Sequence, residues 1–345
     1  MTAPLAILAC GMVTGVGLSA PASCAAIRCG INSFSDTRFM SRSSDWIVGS
    51  AVSFKKPKRG LTKLANMAAS AVRECLDVGQ ISAHPEELLP LILCVPEEDR
   101  PGRLPGLGGP LLFDIERELG LKFHPESSVV ALGRVGGAVA LLRAQKLVHE
   151  RSHRRVIIAG ADSYLVAQTV ASYEERDRLL TTANSDGFIP GEAAAALLVG
   201  PPPSEQATWL ACYAPGFSRE PAIIDSGAPL RGEGMAEAMR AALASAGLGM
   251  EKVDCRISDL SGEQYRFREM ALATSRIRRD HRPSFGIWHP ADSIGEVGCV
   301  ALPVMLGVVY FGARKRYLPG PTFLASLSND DDKRAAVVVS AQRAA

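Results

Sequence analysis

No uninterrupted apolar run in this chain reaches the ~18–20 residues a membrane helix needs. The best candidate, Val297 to Gly312, is short and contains Pro303, so no membrane association is expected. The apolar N-terminus, Met1 to Gly17, has no basic region ahead of it and no clean cleavage site, and reads as a first buried strand, not a signal peptide. Net charge is also nearly absent: the formal value of +2 gives no reason to expect nucleic acid as a partner. The eight cysteines (10, 24, 29, 75, 94, 212, 255 and 299) include no CxxC pair and lie scattered through apolar segments. They read as reduced, buried thiols, which points to the cytoplasm.

What is present is material for a large core. With 345 residues, 47% of them hydrophobic and 21% charged, the chain can form one large α/β domain or two moderate ones. Apolar, β-rich runs at Leu5–Val16, Leu89–Val95, Ser128–Leu132, Arg155–Gly160 and Ala193–Val199 are expected to be strands. Between them, Leu61 to Val78 places Leu64, Ala68, Ala71, Val72 and Cys75 on one helical face, and a further helix over Phe113–Leu119 should end near Gly120. The triple-proline segment Gly200–Glu205 looks like a connector. After it come a helix at Gly234–Ala246, strands at Val253–Leu260 and Ser284–Trp288, an apolar helix from Gly298 to Phe311, and strands at Thr322–Leu327 and Ala335–Ser340.

Two units share a pattern. Strand Ser128–Leu132 enters a glycine turn, then the small-residue helix Gly136–Val148, then a strand. Strand Ser284–Trp288 enters the turn Ile294–Gly298, then another small, apolar helix, then Thr322–Leu327. A helix of Gly, Ala and Val without a polar face must be buried all round. The pair predicts a duplicated α/β unit around a central helical layer, with halves at 1–200 and 201–345 forming one integrated pair.

Five segments, in order, resemble the β-ketoacyl-synthase branch of the thiolase superfamily. GMVTGVGLSA (Gly11–Ala20) is similar to its opening strand and turn, and VVALGRVGGAVALLRAQ (Val129–Gln145) to the segment that delivers its nucleophile. DGFIPGEAAAALLV (Asp186–Val199) closely resembles its D-G-F-x-x-G-E-G-A motif. HPADSIGEVGCVALP (His289–Pro303) resembles the K-S-x-x-G-H segment, and ASLSND (Ala325–Asp330) its late strand ending in Ser-Asn. The resemblance implies a thiolase-like five-layer αβαβα fold. It also implies a homodimer or a heterodimer with a related subunit, an acyl carrier protein or coenzyme A thioester as partner, and no cofactor.

The same resemblance implies a cysteine at a helix N-terminus, where the exposed amides lower the thiol pKa, assisted by two basic residues. Those residues are missing. The alignment puts Arg134 at the nucleophile, Ser258 or Ser261 at the first histidine, Ala291 at the lysine and Glu296 at the second histidine. The glycine-rich turn after Asn329 becomes NDDDKR. A guanidinium is no nucleophile, so condensation is not expected. A binding, scaffold or accessory subunit is, with an acyltransferase using a non-standard nucleophile as the alternative. Arg134 opposes the macrodipole at a helix start and needs a partner if buried, so a salt bridge to Glu296 across the old pocket is expected.

Other signals read blandly. Cys299 is a core residue on an apolar helix, with His289 the nearest base were it a nucleophile. GRVGGA with Asp162 lacks the spacing of a dinucleotide fingerprint. His149 and His153, spaced i,i+4, belong to a charged, solvated helix end, so no metal site is assigned. Asp330–Asp332 reads as a polar turn, and the basic clusters Phe54–Gly60 and Arg276–Arg282 as solvated loops or docking points for an acidic carrier.

Overall fold

The computed structural model describes residues 3–81, 88–203, 208–278 and 286–342. The first series of elements is β1 (Leu5–Thr14), α1 (Ala20–Arg28), β2 (Phe34–Met40), β3 (Trp46–Ser50), α2 (Gly60–Val78), β4 (Leu91–Val95), α3 (Gly109–Leu119), β5 (Ser128–Ala131), α4 (Gly136–His149), β6 (Val156–Ser163), α5 (Ala167–Glu175) and β7 (Glu192–Gly200). The second is β8 (Trp209–Cys212), β9 (Gly216–Arg219), α6 (Glu233–Ala246), β10 (Cys255–Ser258), α7 (Gln264–Ile277), β11 (Ile287–Trp288), α8 (Ala291–Ile294), α9 (Ala301–Lys315), β12 (Thr322–Ser328) and β13 (Lys333–Gln342).

The strands run in the order β11-β10-β12-β13-β8-β1-β7-β6-β4-β5. Cut between β8 and β1, this order is one five-strand arrangement used twice. In the first copy β4 pairs β5 and β6 in parallel, then β6–β7 and β7–β1 are antiparallel. In the second, β10 pairs β11 and β12 in parallel, then β12–β13 and β13–β8 are antiparallel. The copies meet through a short antiparallel pairing of Leu5–Ile7 with Leu210–Cys212. The duplication foreseen from the two small-residue helices is thus present in the topology.

Burial follows the pleat. Ile92, Cys94 and Ile158 face α4 and α9, whereas their neighbours Leu91, Leu93 and Ile157 face α2 and α3. In the second copy Phe323, Ala325 and Val337 join the central layer, while Leu324, Ala336 and Val338 pack on α6. The order is therefore helix, sheet, helix, sheet, helix. The segment Gly298–Lys315 has the length and apolarity of a membrane span, but 83% of it is buried inside the protein as the central layer. Its first residues form a 3-10 turn, so α9 proper starts at Ala301.

Local signals explain most boundaries. α3 opens on Gly109-Pro110 and stops at Gly120, whose left-handed φ of +71° favours glycine. β7 carries four alanines, good helix formers, yet is a strand: it lies between β1 and β6 with both faces buried, and only small side chains fit. The hairpin β2–β3 forms a separate sheet with no apolar run to announce it. Of the strand expected at Ser284–Trp288, only Ile287–Trp288 is seen, and residues 284–285 lie outside the described residues. Residues 204–205 of the proline connector do too. Cys29 corrects the reading of uniformly buried thiols, because it caps α1 at the surface.

The crossing of α4 and α9 is tight: a Cβ on Gly137 would stand 2.8 Å from Leu302 Cβ and 3.2 Å from Pro303 Cδ. Gly137→Val should overpack this layer and cost about 1–3 kcal/mol in a urea titration. Wild-type stability in that variant would show the layer to be looser than described.

Candidate functional site at the paired helix N-termini

After β5 the chain passes Leu132 into a single 3-10 turn, Gly133–Val135, and then α4. Gly133 sits at φ +57°, and a Cβ there would lie 2.6 Å from the Glu97 carboxylate. The second copy repeats the device. The turn Gly298–Val300 precedes α9, Gly298 has φ +54°, and its Cβ would meet Asp162 Oδ2 at 2.1 Å. The two turns pack against each other. Arg134 and Cys299 are the middle residues, one in each.

Arg134 is 3% exposed and its guanidinium is held by carboxylates from two directions. Nη2 donates to Glu296 Oε2 at 2.8 Å, and Nη1 to Asp330 Oδ1 at 2.8 Å. Asp330 is shared. Arg178 Nη1 reaches its Oδ2 at 2.8 Å, Arg266 Nη2 pairs with its Oδ1, and the Tyr173 hydroxyl donates to Oδ2 at 2.9 Å. Arg178 and Arg266 both also bind Glu263, and Ser261 Oγ donates to Glu296 Oε2 at 2.9 Å. Three arginines therefore face three carboxylates, so the cluster is neutral and each charge is paired.

The electrostatics follow. Burial alone pushes the Asp330 carboxyl up, but the three guanidiniums outweigh it and hold it well below the usual carboxylate range. Glu296 is held down too, by Arg134 and then Arg266 against the same burial. Asp259, which accepts from the Ser328 amide at 2.8 Å, has no arginine at bonding distance among the described residues, and burial pushes it up to about 6.

Of the positions that the resemblance assigned, Arg134 and Glu296 meet as the expected salt bridge, and Ser261 joins them. Ser258, Ala291 and Glu296 line one cavity of about 20 Å³, room for a single water molecule and not for an acyl chain. Asn329 ties the end of β12 to the start of α4: its Oδ1 accepts from the Val135 amide at 3.1 Å and its Nδ2 donates to the Leu132 carbonyl at 3.0 Å. The amides at the second turn are engaged as well, Gly298 by Glu296 Oε1 at 2.8 Å and Cys299 by Asp162 Oδ2 at 3.0 Å. The amides of Val135, Gly298 and Cys299 are therefore not free to polarise a substrate carbonyl.

Cys299 has the surroundings of a core thiol. It is fully buried, burial first and Asp162 second raise its pKa well above the ordinary value, and its Sγ contacts the carbonyls of Cys94 and Ala161 at 3.4 and 3.7 Å. His289 pairs with Asp292 at 2.7 Å instead of serving it. Asp162 binds Arg100 Nη1 through both oxygens at 2.8 Å, and so is committed to an ion pair, not to a nucleotide ribose.

The DGFIPGE segment serves here as scaffold. The Glu296 amide donates to the Ile189 carbonyl and the Gly191 amide to the Glu296 carbonyl, at 2.8 and 2.9 Å. A Cβ on Gly191 would stand 2.2 Å from the Ile294 carbonyl oxygen. Glu192 takes the Val52 amide at 2.8 Å, the Ser163 hydroxyl at 2.9 Å and the Lys63 ammonium.

Asp330 corrects the reading of residues 330–332 as a plain polar turn: its side chain points into the cluster, whereas Asp331 and Asp332 pair with Lys333 and Arg219 at the surface. Arg178, Glu263 and Arg266 were not singled out from sequence. The available signal was Asp330 itself, a charge where the resemblance calls for glycine. Of the basic clusters, Lys58 and Arg59 line a 390 Å³ cavity, to which Arg38 and Lys63 also contribute. Arg276 bonds Arg231 O at 2.8 Å, and residues 279–282 lie outside the described residues.

No family model matches the chain, and no curated protein sequence matches it. Solved structures do. The ishigamide ketosynthase/chain length factor superposes with a TM-score of 0.79 at 15% identity, over 99% of this chain and 100% of the other. A type II PKS acyl-carrier protein in complex with its ketosynthase bound to the hexaketide gives 0.79 at 14%, over 99% and 100%. A ketosynthase in complex with its chain length factor from Xenorhabdus doucetiae gives 0.76 at 14%, over 99% and 98%. This chain has the ketosynthase fold. On that fold, the start of α4 carries a buried guanidinium.

Two predictions follow from the ionic cluster. Arg134→Met and Glu296→Gln should each destabilise by about 3–5 kcal/mol in urea, because each strands a buried charge, and the double variant should lose less than the sum. Strict additivity would show that the two groups do not interact. For Asp259, whose folded carboxyl titrates near 6, the folded state keeps a proton that the unfolded chain has lost, so its contribution to stability falls as pH rises through that window. Asp330 and Glu296 act oppositely, their contributions being present above the unfolded values and lost as pH falls through the lowered folded ones. Asp259→Asn should therefore abolish a loss of about 1 kcal/mol between about pH 5 and about pH 7. An unchanged pH profile in this variant would assign the loss to other groups.

Proposed function

We propose that this protein is a non-catalytic ketosynthase-like subunit that binds or scaffolds a partner, in the manner of the chain length factors that accompany ketosynthases in the similar structures. The observation that carries this reading is Arg134, salt-bridged to Glu296 at 2.8 Å where a nucleophile would have to stand. The cavity of about 20 Å³ beside Glu296 and the engaged amides of Val135, Gly298 and Cys299 support it, since that space is too small for an acyl chain and those three amides are not free to receive an oxyanion. Ser261 is hydrogen-bonded to a carboxylate, but Arg134 holds that carboxylate ionised and low in basicity, which argues against a serine nucleophile.

The partner is a related, catalytically complete subunit. Among the described residues, β5 pairs with β4 alone and ends the sheet, so its outer side offers strand hydrogen bonds to another chain. An acidic acyl carrier protein fits Lys55, Lys56, Lys58 and Arg59, the last two at the mouth of the 390 Å³ cavity. The free thiols suit a reducing cytoplasm.

Intact-mass spectrometry after incubation with acyl-CoA or acyl-loaded carrier protein should show no adduct on this chain. Light scattering after mixing with a ketosynthase subunit from the same source should show a one-to-one complex. An acyl adduct on Ser258, Ser261 or Cys299 would replace this reading with an acyltransferase using a non-standard nucleophile.

A further inference from the structure

Far from the ionic cluster, α4 ends at His149, so His149 and His153 do not share a helical face as their spacing suggested. The chain instead turns. The amides of Glu150 and Arg151 return to the Lys146 carbonyl, Ser152 takes φ +62°, and the His153 amide donates to the Leu147 carbonyl at 3.1 Å. This carries His153 toward the segment ahead of β5, which is equally anchored. The His124 amide donates to the Leu89 carbonyl at 2.9 Å, Ser127 Oγ donates to the His124 carbonyl at 2.6 Å, and the Leu91 amide donates to Ser127 Oγ at 2.9 Å. Between His124 and Glu126, Pro125 fixes the backbone.

Three side chains converge as a result. His153 Nε2 lies 2.5 Å from Glu126 Oε2, the two imidazoles meet edge to face with centroids 4.7 Å apart, and one ligand atom from each residue falls within 4.8 Å of the others. We propose that His124, Glu126 and His153 form a binding site for a divalent transition-metal ion of the zinc class. Two imidazole nitrogens and one carboxylate oxygen are the borderline donors such an ion selects, and three protein ligands leave one tetrahedral position for water. On binding, the ion replaces the hydrogen bond between His153 and Glu126, with the His153 imidazole carrying its proton on Nδ1 so that the Nε2 lone pair faces the metal. Backbone anchoring of both turns means that little chain entropy is lost in closing the site. The site lies where β5 and β6 begin, at the opposite end of those strands from Arg134, so it stands or falls independently of the proposed function.

The test is calorimetric titration of untagged, chelator-treated protein with zinc chloride. One equivalent should bind. His124→Ala, His153→Ala and Glu126→Gln should each weaken binding by more than the roughly tenfold that loss of an outer partner typically costs. His149→Ala should leave it unchanged. Cobalt should occupy the same site and give visible absorption that vanishes in His153→Ala, while circular dichroism stays native. Absence of stoichiometric uptake by the wild type, or equal affinity in His153→Ala, overturns the assignment.

Discussion

Asp330 lies within reach of three guanidiniums that arrive from three parts of the chain: Arg134 at the start of α4, Arg178 in the loop after α5, and Arg266 in the first turn of α7. A cation at a helix N-terminus is opposed by the helix dipole, and a buried cation without a counter-ion is worse still. Arg134 can occupy its place only because Glu296 and Asp330 are delivered there by the turn before α9 and by the end of β12. The end of β12 is in turn located by Asn329, which is bonded to both backbone groups flanking Gly133-Arg134. Position and charge are therefore mutually dependent. The strand end sets the carboxylate, the carboxylate licenses the arginine, and the arginine fills the space at the start of α4.

Such a cluster is a weak contributor to stability, since desolvating six charged groups offsets most of their attraction. Its effect is on specificity. Any slip of β12 relative to β10 would move Asp330 away from its guanidiniums and leave several buried charges unpaired at once. The parallel register Ile257↔Ala325 and Ser258↔Ser326 is thus fixed by polar groups as well as by the apolar pleat. The polar interior thus helps to lock the two copies of the α/β unit together.

Much of this was legible in the sequence, and the reasons are specific. The apolar runs at β1, β4, β6, β7, β12 and β13 stand out because both faces of those strands are buried. Arg134 and Glu296 were legible as a pair because each replaces a residue whose spatial neighbourhood the resemblance supplies. Arg178, Glu263 and Arg266 were not. They lie 152, 85 and 64 residues from their partners in the hydrogen-bond pairs Arg178–Asp330, Arg178–Glu263 and Arg266–Asp330, and each looks like an ordinary surface charge in its own window. His153 was misplaced for a local reason, since the i,i+4 spacing to His149 is meaningful only if the helix continues. The left-handed Ser152 ends that possibility.

The duplicated topology also explains why one buried arginine is not the whole of the change. Gly133-Arg134-Val135 and Gly298-Cys299-Val300 are equivalent turns, each opening a central helix after the third strand of its copy. In each, an amide is capped by a side chain from the end of the fourth strand: Val135 by Asn329, following β12, and Cys299 by Asp162, in β6. The caps cross between copies, β12 closing the first turn and β6 the second. Asp162 is balanced by Arg100, which also stacks 4.3 Å over the Tyr164 ring, so the second turn is sealed by its own ion pair. Exchanging Arg134 for cysteine would leave Asp330 with two cations, Glu296 without its main partner, and the amides of Val135, Gly298 and Cys299 still engaged. A thiol placed there would face a carboxylate and no imidazole, a setting that raises its pKa instead of lowering it. The polar partners of both turns are therefore interdependent, and no single residue sets the character of the site.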